Sequence, residues 1–348
     1  MKIKILICVM VALLAGCEGA RPAPEVSISF AWSYRAGDYV RGSPTVSDQV
    51  VYVGADDNVL HAVHAATGES LWHYETADNI TSSPVVFERA VYFGSWDGAI
   101  YALDASQGEL RWRYQTGGWV TASPVISDGV VYVGSHDGSF YALGAGRGDR
   151  QWQYETGGPV EAGASLAGPL AFVGSADNYL YALDVTSGEL KWRYRTGGDI
   201  VTTPAIAAGI VYVGSVDRKL YALDAATGQL RWAFEAEYGI ESSPVVTDGM
   251  VYVGANDGRL YALRAQDGRL VWQYQAEDVI RSSPLVWGPL VFAGCDDGYL
   301  YGLDRETGAL VWSYRTGGAI AAGPTVSDGK LYVGSTDRRL HAFSLGAE

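Results

Sequence analysis

Short apolar runs rich in Val, Tyr, Leu and Ala alternate with clusters of Gly, Asp and Ser along nearly the whole chain. Residues 123–126, 130–133, 139–143 and 151–154 show the pattern in one stretch: they carry the β-branched and aromatic side chains of short strands. Ser127-Asp128-Gly129, His136-Asp137-Gly138 and Gly146-Arg147-Gly148 separate them as tight turns, where Gly and Asp accept positive φ at little cost. Four antiparallel strands in roughly 40 residues are therefore expected from this stretch.

The same stretch is written eight times. Trp32, Trp72, Trp112, Trp152, Trp192, Trp232, Trp272 and Trp312 recur at an unbroken spacing of 40. Gly54 and Asp57 each open a series of eight identical residues at the same spacing, ending at Gly334 and Asp337. No such unit can bury its apolar faces alone, so neighbours must supply the rest of the core. The expected fold is all-β, a single eight-bladed β-propeller of four-stranded antiparallel blades over residues 30–348. The eighth unit ends before a fourth strand with a tryptophan, and that strand stands at the other end as Phe30-Ala31-Trp32-Ser33-Tyr34. Pairing it into the last blade closes the ring and removes an open sheet edge.

The segment Ala222-Leu223-Asp224-Ala225-Ala226-Thr227-Gly228-Gln229-Leu230-Arg231-Trp232 has close copies ending at Trp72, Trp112, Trp192 and Trp312. It resembles the tryptophan-docking repeat of the quinoprotein (PQQ-like) propeller family, over essentially the whole chain after the leader. The resemblance implies a Trp packed between adjacent blades. It implies less about activity, because that propeller serves enzymes and non-catalytic scaffolds alike. The family's enzymes add long insertions with substrate and calcium ligands, and some add an adjacent cysteine pair; this sequence has neither, so a bound quinone (PQQ) is not supported.

The start of the chain changes the picture. Lys2 and Lys4 precede an apolar run over 5–14 and then Leu14-Ala15-Gly16-Cys17, the pattern of a secretory signal over 1–16. The run is too short to span a bilayer. Its end resembles a bacterial lipobox, which implies cleavage before Cys17, lipidation of that residue, and, with Glu18 following, sorting to the outer membrane facing the periplasm. Residues 17–29, with Pro22 and Pro24, read as a tether. The net charge of −14 disfavours nucleic acid and anionic headgroups. After Cys17 only Cys295 remains, in a slot otherwise held by Ser or Ala, so no intrachain disulfide is expected.

Candidate chemistry is sparse. The Asp of each Asp-Gly turn looks like a metal ligand or general acid, yet all eight units have it, which points to turn formation. His61 and His341 occupy a slot that is Tyr in the other six units; no carboxylate is placed beside His64 or His73 by spacing, and no metal site or catalytic residue is expected.

Function should lie where the repeats disagree. One variable slot reads Arg41, Thr81, Thr121, Glu161, Val201, Glu241, Arg281 and Ala321, and is expected at the start of the innermost strand, ringing the channel mouth. Glu241 and Arg281 fall in adjacent units and can pair, whereas Arg41, beside Ala321 and Thr81, is left to hold an anionic group. A second slot reads Asp56, Trp96, His136, Ala176, Val216, Asn256, Asp296 and Thr336, on the same face as the connections that carry Tyr39, Trp119, Asp199 and Tyr238. Trp96, Trp119 and His136 should cluster over blades 2 and 3. Tyr39, Trp96, Trp119, His136 and Tyr238 are the candidate partner-binding residues, set against the plainer reading that the rings cap strand ends.

The leading expectation is a non-catalytic, lipid-anchored, monomeric scaffold that binds an envelope protein partner, similar to the eight-bladed lipoproteins of outer-membrane β-barrel assembly. The alternatives are a PQQ-binding oxidoreductase or sensor, and a glycan-binding surface propeller.

Overall fold

The computed structural model describes residues 26–347; the leader and Cys17 lie outside the described residues. Eight four-stranded antiparallel sheets follow one another around a ring. Blade 1 consists of Thr45–Ser47, Val50–Gly54, Val59–His64 and Ser70–Glu75, and its layout repeats every 40 residues through blade 7. Blade 8 takes Thr325–Ser327, Lys330–Ser335 and Arg339–Ala347 from the C-terminal end and Val26–Arg35 as its outermost strand. That closing strand pairs from Val26 with Ala347 to Arg35 with Arg339, so residues 26–29 belong to the sheet and not to a tether.

The middle strands of each blade read as nearly continuous apolar runs because both of their faces are buried. Alternate residues point to opposite neighbours. Tyr52, Leu60 and Ala62 pack with Val91, Phe93 and Leu103 of blade 2, while Val51, Val53 and Val63 pack with Tyr332, Leu340 and Ala342 of blade 8. The core is thus eight interblade clusters, not one centre. Gly54 and its seven counterparts are required by a close approach: a Cβ there would run into Ile80, the residue that leads the chain into the next blade.

Most adjacent blades are tied through a single carbonyl. Trp32 Nε1 and the Tyr332 hydroxyl, both in blade 8, donate to the Ala65 oxygen of blade 1 at 3.1 and 3.2 Å. Tyr52 with Trp72 on Ala105, Tyr92 with Trp112 on Ala145, and Tyr132 with Trp152 on Val185 repeat the arrangement. The turn glycine three residues on, Gly68 at φ 75°, lies so close under the Trp32 ring that no Cβ fits. Burial, then the Asp48 and Asp104 carboxylates, pushes the Tyr52 phenol up to about 12, so it stays protonated and able to donate.

The outermost strands carry a bulge in every blade, at Leu71, opposite Ala62 and Val63, in blade 1 and at Ala31, between Phe30 and Trp32, in blade 8. Bulges break the regular ladder at the exposed edge and discourage strand addition.

Trp32→Ala removes the indole at the seam where the two chain ends meet; we expect a loss of about 3–5 kcal/mol in denaturant unfolding, whereas an unchanged midpoint would show that closure does not depend on it. Phe172 stands where most blades have the docking Tyr, and only Trp192 reaches the Ala225 oxygen. A cleft of 780 Å³ opens there on the face away from the interblade linkers, lined by Phe172, Ile210, Ala225 and Arg231 among others. Phe172→Tyr should supply the missing bond and raise stability by about 1 kcal/mol.

Candidate functional site

The eight repeated aspartates are fully engaged in folding. In blade 2, Asp97 Oδ1 accepts from the Ala99 amide at 2.9 Å, and Oδ2 accepts from the Tyr101 hydroxyl and from the Ala77 amide of the incoming linker at 3.3 Å. The same three bonds recur on Asp137, Asp177 and Asp217. In blades 1 and 8 a histidine replaces the Tyr: His61 Nε2 lies 3.0 Å from Asp57 and His341 Nε2 2.9 Å from Asp337. The Tyr34 hydroxyl of blade 8 reaches His61 Nδ1 at 3.1 Å. Both histidines therefore act as tyrosine substitutes, His341 in blade 8, where the two chain ends pair, and His61 in the blade that follows it.

The two variable slots form a single feature. The amide of each residue in the second slot donates to the linker carbonyl two residues before the first slot, as in Asp56 to Tyr39, Trp96 to Asn79 and His136 to Trp119. Each such bond brings a linker residue, a mouth residue and a turn residue into one triplet per blade. Thr81 Oγ1 accepts from Trp96 Nε1 at 2.8 Å, and Thr121 Oγ1 lies 2.9 Å from His136 Nε2. Asn256 Nδ2 donates to Glu241 at 2.7 Å, and Arg281 binds Asp296. Sequence spacing alone missed this coupling, although the constant offset of 15 residues between the slots was visible.

Arg41 differs from expectation. Its Nε lies 2.7 Å from Asp56 Oδ2, and its guanidinium sits over the Tyr39 ring at 5.3 Å, so it is neutralised within its own blade and is not held ready for an anion. The slot also lies in the linker, four residues ahead of the short innermost strand, not at its start. Arg281 is held between Asp296 and Glu241, the latter at 3.4 Å. Burial pushes the Asp56 and Asp296 carboxyls above their usual range, against the pull of the paired arginines. Glu161 is the one candidate mouth charge with no side-chain partner among the described residues.

The structure gathers the aromatic candidates over blades 2 and 3. Trp96 and Trp119 stack at 4.9 Å between ring centroids and 14° between planes, and His136 lies 5.6 Å from Trp119. Trp119 is 49% exposed. Tyr39 stands apart, with Arg41 in blade 1, and Tyr238, 62% exposed, lies on the linker into blade 6. Cys295 is buried, and burial, with the Asp297 carboxylate adding to it against backbone hydrogen bonds, pushes its thiol up to about 12, which keeps it protonated.

A family model described as outer membrane protein assembly factor BamB matches residues 29–89, 76–165, 155–277, 204–315 and 276–347. Among solved structures, BamB from Moraxella catarrhalis superposes with a TM-score of 0.80 at 22% identity, covering 91% of this chain and 100% of that one. The computationally designed Ika8 protein gives 0.81 at 17% identity, over 91% and 99%. Quinohemoprotein alcohol dehydrogenase from Comamonas testosteroni gives 0.77 at 18% identity, over 91% of this chain and 76% of the enzyme. At these identities the superpositions establish the fold. No curated protein sequence matches.

Asp57 and Asp337 carry a pH prediction. Burial raises both carboxyls, but hydrogen bonds and charge from His61 and His341, with the backbone amides, outweigh it and hold both below the usual range. A depressed folded-state value means that the stability they contribute is present above about pH 4 and is lost as pH falls further. Asp57→Asn with Asp337→Asn should lower stability at pH 7 and flatten the acid limb of a stability-versus-pH curve below pH ~4; an unchanged limb would mean that these carboxylates do not couple to folding.

Proposed function

The chain belongs to the family of the outer membrane protein assembly factor BamB, and from that premise we propose that it is a non-catalytic, lipid-anchored scaffold of the bacterial envelope that binds a protein partner in outer-membrane protein assembly. The observation that carries the reading is the Trp96, Trp119 and His136 cluster. It is an exposed, preorganised aromatic surface on a rigid ring whose repeated polar groups are otherwise used for folding. Aromatic anchors of this kind supply much of the energy of protein interfaces.

The closing strand adds an orientation. It runs from Val26 to Arg35, and Arg35 leads directly into the linker that carries Tyr39 and Arg41. Val26 therefore lies toward the opposite face. A lipid on Cys17, nine residues before Val26, ties that opposite face to within about 30 Å of the membrane, and the aromatic face is presented to the periplasm.

The donor set favours binding over quinone chemistry. Arg41 and Arg281 are already paired with carboxylates, and among the described residues no three His, Cys, Asp or Glu side chains converge as they would on a metal ion. These residues do not fit an anionic quinone held with a metal.

In-cell crosslinking followed by purification from solubilised membranes tests the reading. We expect subunits of the β-barrel assembly machinery to be recovered with the wild type, recovery to fall at least about tenfold in Trp119→Ala, and Cys17→Ser to release the protein from the membrane fraction. Recovery that is indifferent to Trp119 and Trp96 would overturn this face as the interface.

A further inference from the structure

We propose that the aromatic face takes a positively charged segment of its partner, with an arginine guanidinium stacked on Trp119 and facing Glu161. This rests on the scaffold reading and specifies its ligand chemistry. The argument comes from which donors and acceptors the cluster has left over.

Trp96 Nε1 gives its proton to Thr81. The Thr121 hydroxyl donates to the Glu161 main-chain oxygen at 3.2 Å, so at 2.9 Å it must accept from His136 Nε2. A neutral His136 therefore carries its proton on Nε2 and offers Nδ1 as a bare acceptor. Trp119 is stacked on Trp96 and lies beside His136, yet half of it stays exposed; beside this electron-rich ring the cluster has the His136 Nδ1 lone pair and the Glu161 carboxylate of the next blade. Glu161 and Asp199, in consecutive blades beyond the cluster, have no ion-pair or side-chain hydrogen-bond partner among the described residues. The arginines of this face elsewhere, Arg41 and Arg281, are each matched by their own carboxylates. Unpaired negative charge thus lies beside the aromatic cluster.

A planar cation with several N–H donors satisfies all of these at once, through cation–π contact and charge-assisted hydrogen bonds. An anion would have to compete with the Asp56, Asp296 and Glu241 carboxylates for Arg41 and Arg281. A neutral sugar leaves the carboxylate charge uncompensated.

The test uses the purified full-length protein in detergent micelles and a capped pentapeptide of two arginines among glycines. Its citrulline twin keeps planar N–H donors and loses the charge. Followed by tryptophan fluorescence and calorimetry, the arginine peptide should bind about tenfold more tightly than the citrulline peptide, and its affinity should fall with salt. Trp119→Ala and the isosteric Glu161→Gln should each weaken it about fivefold with unchanged melting temperatures. Equal affinity for the two peptides, no binding at millimolar peptide, or indifference to both substitutions would overturn the proposal, as would retention of a neutral oligosaccharide in place of the peptide. Partner capture that needs Trp119 and ignores Glu161 would sink the cation reading and leave the scaffold standing. Peptide binding that persists when no partner is captured would do the reverse.

Discussion

Everything in this propeller depends on how one blade grips the next. A four-stranded sheet with two apolar faces has no stable existence alone in water, and in these blades the burial is completed only across the blade interface. The grip is made specific by a Trp and a Tyr that converge on one carbonyl of the following blade, with a glycine turn pressed beneath the indole. Both lone pairs of that oxygen are used, and two large rings are placed by polar bonds rather than by shape alone. The Trp bond recurs in blades 1 to 6, with Phe172 in place of the Tyr in blade 4, and closing the ring brings the same contact to the seam between the chain ends. Trp32, supplied from the far end of the chain, does this for blade 8.

A second set of contacts fixes the opposite ends of the blades. Each turn Asp ties its own strand, its own Tyr or His and the linker that enters its blade. This accounts for eight identical carboxylates near one face of so acidic a chain as parts of the fold. Their charge is absorbed by backbone amides and hydroxyls. The same linker amides and turns position the variable residues, so the candidate face is held by the most heavily bonded part of the scaffold.

Where the repeats differ, the differences are coupled blade by blade. Arg41 comes with Asp56, Arg281 with Asp296, Thr81 with Trp96, and Thr121 with His136. A substitution at the mouth is matched by one in the turn, which keeps most of the face internally satisfied. Glu161 and Asp199, beyond the Trp119 cluster, escape that matching, and their carboxylates have no side-chain partner among the described residues.

The sequence by itself determined the blade number, the strand order, the closure of the ring by the N-terminal strand and the gathering of Trp96, Trp119 and His136, because a period of 40 puts equivalent residues in equivalent places. It also made the repeated Asp legible as structural, since a residue present in all eight blades marks the fold and not a site. Pairing between slots was decided only in three dimensions. Arg41 looked free because its neighbours around the ring, Ala321 and Thr81, carry no charge, while its real partner, Asp56, lies across a hairpin in its own blade. The start of the closing strand at Val26 was likewise hidden, since Val26 and Ile28 become strand residues only once the C-terminal strand lies beside them. Periodicity specifies which backbone lies where; which side chains meet depends on turn geometry and side-chain reach, and these exist only after the chain has folded.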